Sequence, residues 1–163
     1  MTEGGTLSDQ EWNEICTEIL EKRAKRRALY ILQRMERTEY QLRQKLQENG
    51  YPEEIVQCAI DYVKSFHYVD DYRYACTYIR YHQTEKSRLQ LKMKLYERGV
   101  ASDLIEQALE DEYSGEEEQL IDRLLEKKHY DAETMDQKEK QRIYQYLMRR
   151  GFRPETIRHR MGI

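Results

Sequence analysis

Three stretches of the chain can be laid over one another, and that overlay restricts the fold more than any other feature. Residues 87–109 read as a helix, a glycine stop and a second helix. Moved back by 49 residues, Ser87 falls on Thr38, Leu91 on Leu42, Lys94 on Lys45, Leu95 on Leu46 and Gly99 on Gly50. The second helix follows: Leu104, Ile105, Ala108 and Leu109 fall on Ile55, Val56, Ala59 and Ile60. Moved forward by 52, Leu91, Leu95 and Gly99 meet Ile143, Leu147 and Gly151, while Ile105 and Leu109 meet Ile157 and Met161. Self-similarity with a period near fifty residues is the mark of a repeat architecture. Each copy is too small to bury its apolar edge alone, so neighbouring copies must stack.

The spacing predicts three helices per copy. Apolar residues recur at i, i+3 and i+4, and no stretch alternates apolar and polar as a strand would. Thr38 and Ser87 have the oxygen a helix N-terminus needs, Ser102 is expected to cap the helix that follows it, and an aspartate of Asp70-Asp71 the helix at Tyr72. Gly50, Gly99 and Gly151 stand where a helix ends on a left-handed residue, and Pro52 and Pro154 suit the first turn of the next helix. A helix starts at Asp9. Trp12, Ile15, Cys16, Ile19 and Leu20 keep its rhythm, then Ile31, Leu32 and Met35; the pattern leaves open whether it breaks near Glu21–Lys25. The expected organisation is a flexible tail over 1–8, then copies at 9–66, 67–113 and 114–163. The expected fold is all-α: three tandem three-helix repeats in an elongated, curved right-handed or solenoid-like array.

Chemistry-bearing motifs are sparse. There is no glycine-rich phosphate loop, no H-E-x-x-H and no G-x-S-x-G. His67, His82, His129 and His159 lack metal-ligand spacing, and Cys16, Cys58 and Cys76 form no C-x-x-C and read as reduced core thiols. No catalytic residue, metal or cofactor is expected, so the chain is not expected to be an enzyme. No run of about 18 apolar residues is present to span a membrane, nor an apolar leader, which makes the cytoplasm the expected compartment.

Charge is where the sequence points to a partner. The net charge of −3 conceals blocks of opposite sign: −5 over 1–20, +5 over 21–50, +1 over 51–100, −10 over 101–136 and +6 over 137–163. Basic residues recur on the second helix of each copy. They are Arg43 and Lys45, then Arg88, Lys92, Lys94 and Arg98, then Lys138, Lys140, Arg142, Arg149, Arg150 and Arg153. A solvated helix face would look the same; repetition at matched positions favours a track facing phosphates. The fourteen tyrosines fit packing between copies or an interface. Tyr72 falls on the buried stripe of its helix, and Tyr74, Tyr78 and Tyr81 fall off it. Stacking of single-stranded bases on those three is a further reading.

At these residues the chain resembles the RecX family of bacterial recombination regulators. The resemblance rests on Arg-Ala-Leu-Tyr-Ile-Leu at 27–32, the Thr-x-x-x-Leu-x-x-Lys-Leu-x-x-x-Gly-Tyr run at 38–51, Val-Asp-Asp-Tyr-Arg-Tyr-Ala at 69–75, Lys94 to Gly99, and Arg-Arg-Gly-Phe at 149–152. His67 stands where the family often has glycine. The resemblance implies an all-α array that binds RecA, lodges along the groove of the RecA filament on single-stranded DNA, and restrains its ATPase, strand-exchange and coprotease activities. The chain is expected to be a monomer, and its net acidic charge makes weak direct DNA binding the most to be expected. The implied filament contacts are Arg43, Lys45, Arg88, Lys94, Arg98, Arg149 and Arg150. A helical scaffold for another protein and a direct single-stranded DNA binder are the rival readings.

Overall fold

The computed structural model describes residues 5–163, and helices α1 to α9 account for most of them. They are α1 (Asp9–Arg34), α2 (Glu39–Glu48), α3 (Glu53–Ser65), α4 (Asp71–His82), α5 (Arg88–Glu97), α6 (Ser102–Glu112), α7 (Glu117–Lys127), α8 (Gln137–Arg149) and α9 (Pro154–Met161). No strand occurs among the described residues. Of the tail expected over 1–8, residues 1–4 lie outside the described residues, and Ser8 is the N-cap of α1. The chain forms two compact units that divide inside α4, between Tyr74 and Ala75.

In the N-terminal unit, α1, α2 and α3 close on Ala24, Ala28, Ile31, Leu42, Leu46, Val56, Ala59, Ile60 and Val63. Ala24, Ala28 and Ala59 are fully buried. Their small side chains let α1 and α3 approach closely, while Leu42 and Leu46 each contribute about 2–3 kcal/mol by leaving water. In the C-terminal unit, Leu91, Leu95, Ile105, Ala108 and Leu109 are buried to within 2 %. A further cluster joins Leu120, Ile121, Leu124, Leu125, Leu147, Phe152, Ile157 and Met161. Leu46, Leu95 and Leu147 among these are positions that the overlay of the copies pairs, as are Ile60, Leu109 and Met161.

The second helices begin alike. Thr38, Ser87 and Asp136 accept the backbone N–H of Gln41, Gln90 and Glu139, whose side chains reach back to the caps' own N–H groups. These capping boxes satisfy donors that no helical carbonyl can reach. The caps stand 49 residues apart in both steps, but α8 has 13 residues where α2 and α5 have 10. The change of register from 49 to 52 is therefore an insertion inside α8.

A second carboxylate completes two of these ends. Asp71 Oδ1 accepts the Glu39 N–H at 2.9 Å, and Glu117 Oε1 accepts the Arg88 N–H at 3.1 Å. Each acceptor is the first residue of the helix that opens the following copy. Asp70 faces the other way and caps α4 through the Arg73 N–H at 2.9 Å. The adjacent aspartates thus serve two different helices. Burial raises the Asp71 carboxyl, against the lowering effect of the Glu39 N–H.

The second helices also end alike. Gly50, Gly99 and Gly151 sit at φ +86°, +81° and +87°, and the following N–H returns to Leu46, Leu95 or Leu147, the bond of a Schellman stop. Gly151 is constrained twice, because a Cβ there would come within 2.8 Å of the Leu89 side chain. His67 and His129 take the same left-handed turn at φ +58° and +52°, one reason histidine can stand where glycine is usual.

The helix from Asp9, whose continuity the pattern leaves open, is unbroken to Arg34, and several other expectations need correction. Its Trp12, Ile15 and Ile19, with Met35 after it, are exposed, because the covered face runs through Ala24, Ala28 and Ile31 instead. Cys76 is buried, but Cys16 and Cys58 are only partly so. Ser102 is the first residue of α6, not its cap. Ala101 holds the extended cap conformation and provides no side-chain acceptor.

Ser87 is fully buried. Its hydroxyl accepts from Gln90 at 3.2 Å and donates to the Arg150 carbonyl. Ser87→Ala removes both bonds and is expected to cost about 2 kcal/mol in urea unfolding. Asp71 gives a pH test. Its raised pKa means that ionisation opposes folding, so Asp71→Asn, which keeps the acceptor, should stabilise the chain at neutral pH. The gain should fade as pH falls below the carboxylate range, where the wild-type carboxyl is protonated. Asp71→Ala should destabilise at every pH by stranding the Glu39 N–H. Thermal melts of both variants across acid to neutral pH check the sign.

Candidate functional site

The expected contact residues lie on or at the ends of α2, α5 and α8, but their chemical states differ. In the N-terminal unit, Arg43 is held by Glu53, by Gln57 at 2.6 Å and by Glu39 at 3.7 Å. Lys45 pairs with Glu48 at 3.5 Å. In the C-terminal unit, Arg88 meets Glu106 at 3.1 Å, and Lys92 meets the same carboxylate. The Lys92 bond, aided by both positive charges, holds the Glu106 carboxyl below its usual value. Lys94 pairs with Glu97 at 2.9 Å. A cation that already faces a carboxylate has less to gain from a phosphate.

Arg98 and Arg150 are the C-caps of α5 and α8. Arg98 lies over the ring of Tyr78 at 4.5 Å, and Arg150 over Tyr146 at 4.8 Å. A ring face attracts a guanidinium through its charge and so helps to position it. Arg149 is exposed on α8. Arg153 lies outside α8, as the N-cap of α9.

The rings explain much of the tyrosine content. Tyr30 has Arg27 and Arg34 each at 5.2 Å, Tyr62 has Lys25 at 5.1 Å, Tyr146 has Lys128 at 4.6 Å besides Arg150, and Tyr144 has Arg158 at 5.9 Å. A chain of this size would ordinarily show about two such pairs, so seating cations is a main task of these residues. The periodicity that places Tyr78 off the buried stripe misreads it; Tyr78 is 7 % exposed, between His82 at 4.3 Å and Arg98. Tyr81 is the solvated ring, at 74 %.

Arg88, Lys92 and Arg153 do converge, on a cleft of about 540 Å³ that also holds Glu106, Glu117, Glu118 and Tyr113. Three carboxylates answer three cations there. Burial, reinforced by Glu117, pushes the Tyr113 phenol far above its ordinary value. Arg88 and Lys92 are both paired with Glu106 there, and Glu117 and Glu118 add further negative charge, so the cleft is not built for an anion.

One feature of α5 escapes a search for charge. Leu89, Met93 and Tyr96 form an exposed apolar stripe at i, i+4 and i+7. With Ile105 they border a shallow hollow of about 210 Å³. The matching residues of α2 are Tyr40, Gln44 and Gln47, and those of α8 are Gln141, Gln145 and Met148. Only the middle copy carries three apolar residues there. Comparing the copies for outward rather than inward positions would have revealed it.

Three family models cover most of the chain: the first three-helix domain of RecX matches residues 24–62, the second 70–109 and the third 116–160. The chain belongs to the RecX family. The Regulatory protein RecX of Caldanaerobacter subterraneus is 31 % identical over 163 residues, 99 % of this chain and 80 % of that protein. The Vibrio parahaemolyticus RecX is 31 % identical over 140 residues, 85 % of this chain and 90 % of its own. The Clostridium acetobutylicum RecX is 31 % identical over 135 residues, and the chain spans 63 % of its length. A crystal structure of regulatory protein RecX superposes with a TM-score of 0.83 at 23 % identity, covering all of this chain and 82 % of that one. RecX from Lactobacillus salivarius superposes at 0.71 with 20 % identity, over 89 % of this chain and 96 % of that one. These two establish the fold. Among the described residues no helix is long and apolar enough to cross a membrane, and no cluster of His, Cys, Asp or Glu is placed to hold a metal ion.

Glu106→Gln releases Arg88 and Lys92 together. Single-stranded DNA binding by the full chain should then become more salt-dependent, the log–log slope steepening by about 0.7 for each freed cation that reaches a phosphate. An unchanged slope would place both cations away from any polyanion.

Proposed function

We propose that the chain is a non-enzymatic cytoplasmic regulator that binds RecA on its single-stranded DNA filament and restrains ATP hydrolysis, strand exchange and coprotease activity. Membership of the RecX family across all three copies supports the partner. The observation that carries the mode of binding is the contrast within α5. The cations expected to touch DNA are tied to carboxylates or seated on a ring, while Leu89, Met93 and Tyr96 stand open. An apolar stripe with a charge-paired rim suits a protein surface, since burying it releases water without stranding a charge. The middle copy therefore docks on RecA.

Arg88, Lys94 and Arg98 frame this contact and set its register by electrostatic complementarity, and Arg43 and Lys45 are the corresponding filament contacts of the N-terminal unit. Arg149 and Arg150, on a segment of net charge +6, face the filament's phosphates. Direct binding of single-stranded DNA is the second reading, favoured by that same segment.

RecA's single-stranded-DNA-dependent ATPase, titrated with the protein, tests the proposal. Inhibition should approach completion at or below one molecule per RecA. Met93→Glu should shift the midpoint at least about tenfold while leaving the melting temperature unchanged, since its side chain is exposed. Arg149→Glu with Arg150→Glu should weaken inhibition less and reduce its salt dependence. No effect of the wild-type chain on the ATPase would overturn the reading. Inhibition lost with the arginine pair but kept in Met93→Glu would favour DNA as the surface bound.

A further inference from the structure

The first half of α1 is a long exposed helix with an uncovered apolar face. The helix buries Ala24, Ala28 and Ile31, whereas Trp12, Ile15 and Ile19 are exposed by 58, 39 and 46 %. At 100° per residue, Trp12, Ile15, Ile19, Arg23 and Arg26 follow one outward stripe, well away from the stripe of Ala24 and Ile31. The first three-helix domain begins at residue 24, so the apolar part of the stripe precedes it.

The charges on α1 are sorted along its length. Asp9 to Glu21 contains five acids and no base, and Lys22 to Arg34 contains six bases and no acid. Such a helix is electrostatically complementary to itself run in the opposite direction. We propose that the occupant of this face is a second copy of the chain, paired antiparallel through α1 about a two-fold axis between Ile15 and Cys16. In that register Trp12 covers Ile19 of the second copy, and Ile15 meets Cys16. Asp9, opposite Lys22, reaches the neighbouring Arg23. Each contact occurs twice, as an isologous interface requires. A parallel pair would set Arg23 against Arg23 and Glu11 against Glu11, so charge order selects the direction.

The contact runs from Ser8 to Arg23, about 24 Å of helix. That is a small interface, at the low end of the specific range, and it fits a dissociation constant on the order of 10 μM. This reversible dimer departs from the monomer expected from the sequence.

Trp12 is the only tryptophan, so its emission reports this face alone. The full chain, without RecA or DNA, is followed by sedimentation velocity and tryptophan fluorescence from about 1 to about 200 μM. The dimer should appear with rising concentration, together with a blue shift of the emission. Ile15→Glu with Ile19→Glu should remain monomeric with solvent-exposed emission, its far-ultraviolet dichroism confirming that it is folded. Arg23→Glu should weaken association roughly tenfold, and Asp9→Lys added to it should restore the wild-type midpoint by recreating the pair in reverse. A wild-type monomer with constant emission over the whole range overturns the proposal. So does a dimer that persists in the double glutamate variant, or a blue shift that arises only when RecA is added. None of these results depends on the ATPase measurement, so this inference and the RecA reading fail separately.

Discussion

The fold depends on oxygen atoms kept away from water. Thr38 and Ser87 are fully buried, yet each holds the start of a helix that carries two core leucines. A hydroxyl can be buried at modest cost because it is neutral and gives as well as takes a hydrogen bond. A carboxylate at the same place would carry its charge into the core. The third copy shows the alternative: its cap, Asp136, is exposed, where a charged acceptor is comfortable and also suits the helix dipole. The choice of cap chemistry thus records how deeply each second helix is set.

The same economy governs charge. Acidic side chains do not simply decorate the helices: Glu106 gathers Arg88 and Lys92, Glu112 holds Arg80 at 2.8 Å, and Asp122 holds Arg160 at 2.7 Å. Part of the acidic block thereby becomes structural, and its formal charge overstates the field a partner meets. Tyrosines do the complementary task of placing guanidinium groups. Paired cations, ring-seated cations and open apolar side chains are three surface chemistries that a plain count of lysine and arginine merges.

Much of this is legible in the chain itself, for identifiable reasons. Helix stops at Gly50, Gly99 and Gly151 follow from a backbone conformation few residues tolerate, and the caps at Thr38 and Ser87 from an oxygen at a fixed offset. Those are local rules. Ser102 misleads because a cap is defined by an extended backbone, and the extended residue is Ala101, held next to the buried Val100. Trp12, Ile15 and Ile19 mislead because periodicity reports that a stripe exists, not that anything covers it. The pairing of Arg43 with Glu53 or Lys92 with Glu106 spans helices joined by a turn, beyond the reach of any helical spacing rule. The candidate contact residues are therefore readable as positions on the helices but not as chemical states.

The three residues inserted in α8 bear on how the chain avoids misfolding. Tandem repeats of similar sequence risk exchanging places as they fold, since each helix meets several near-equivalent docking sites. An added turn of about 4.5 Å separates the cap of α8 from its glycine stop, while α2 and α5 keep the shorter interval. A second helix from another copy cannot seat both ends in that position at once. The three second helices share one grammar of start and stop, and a single difference in length tells the last from the others.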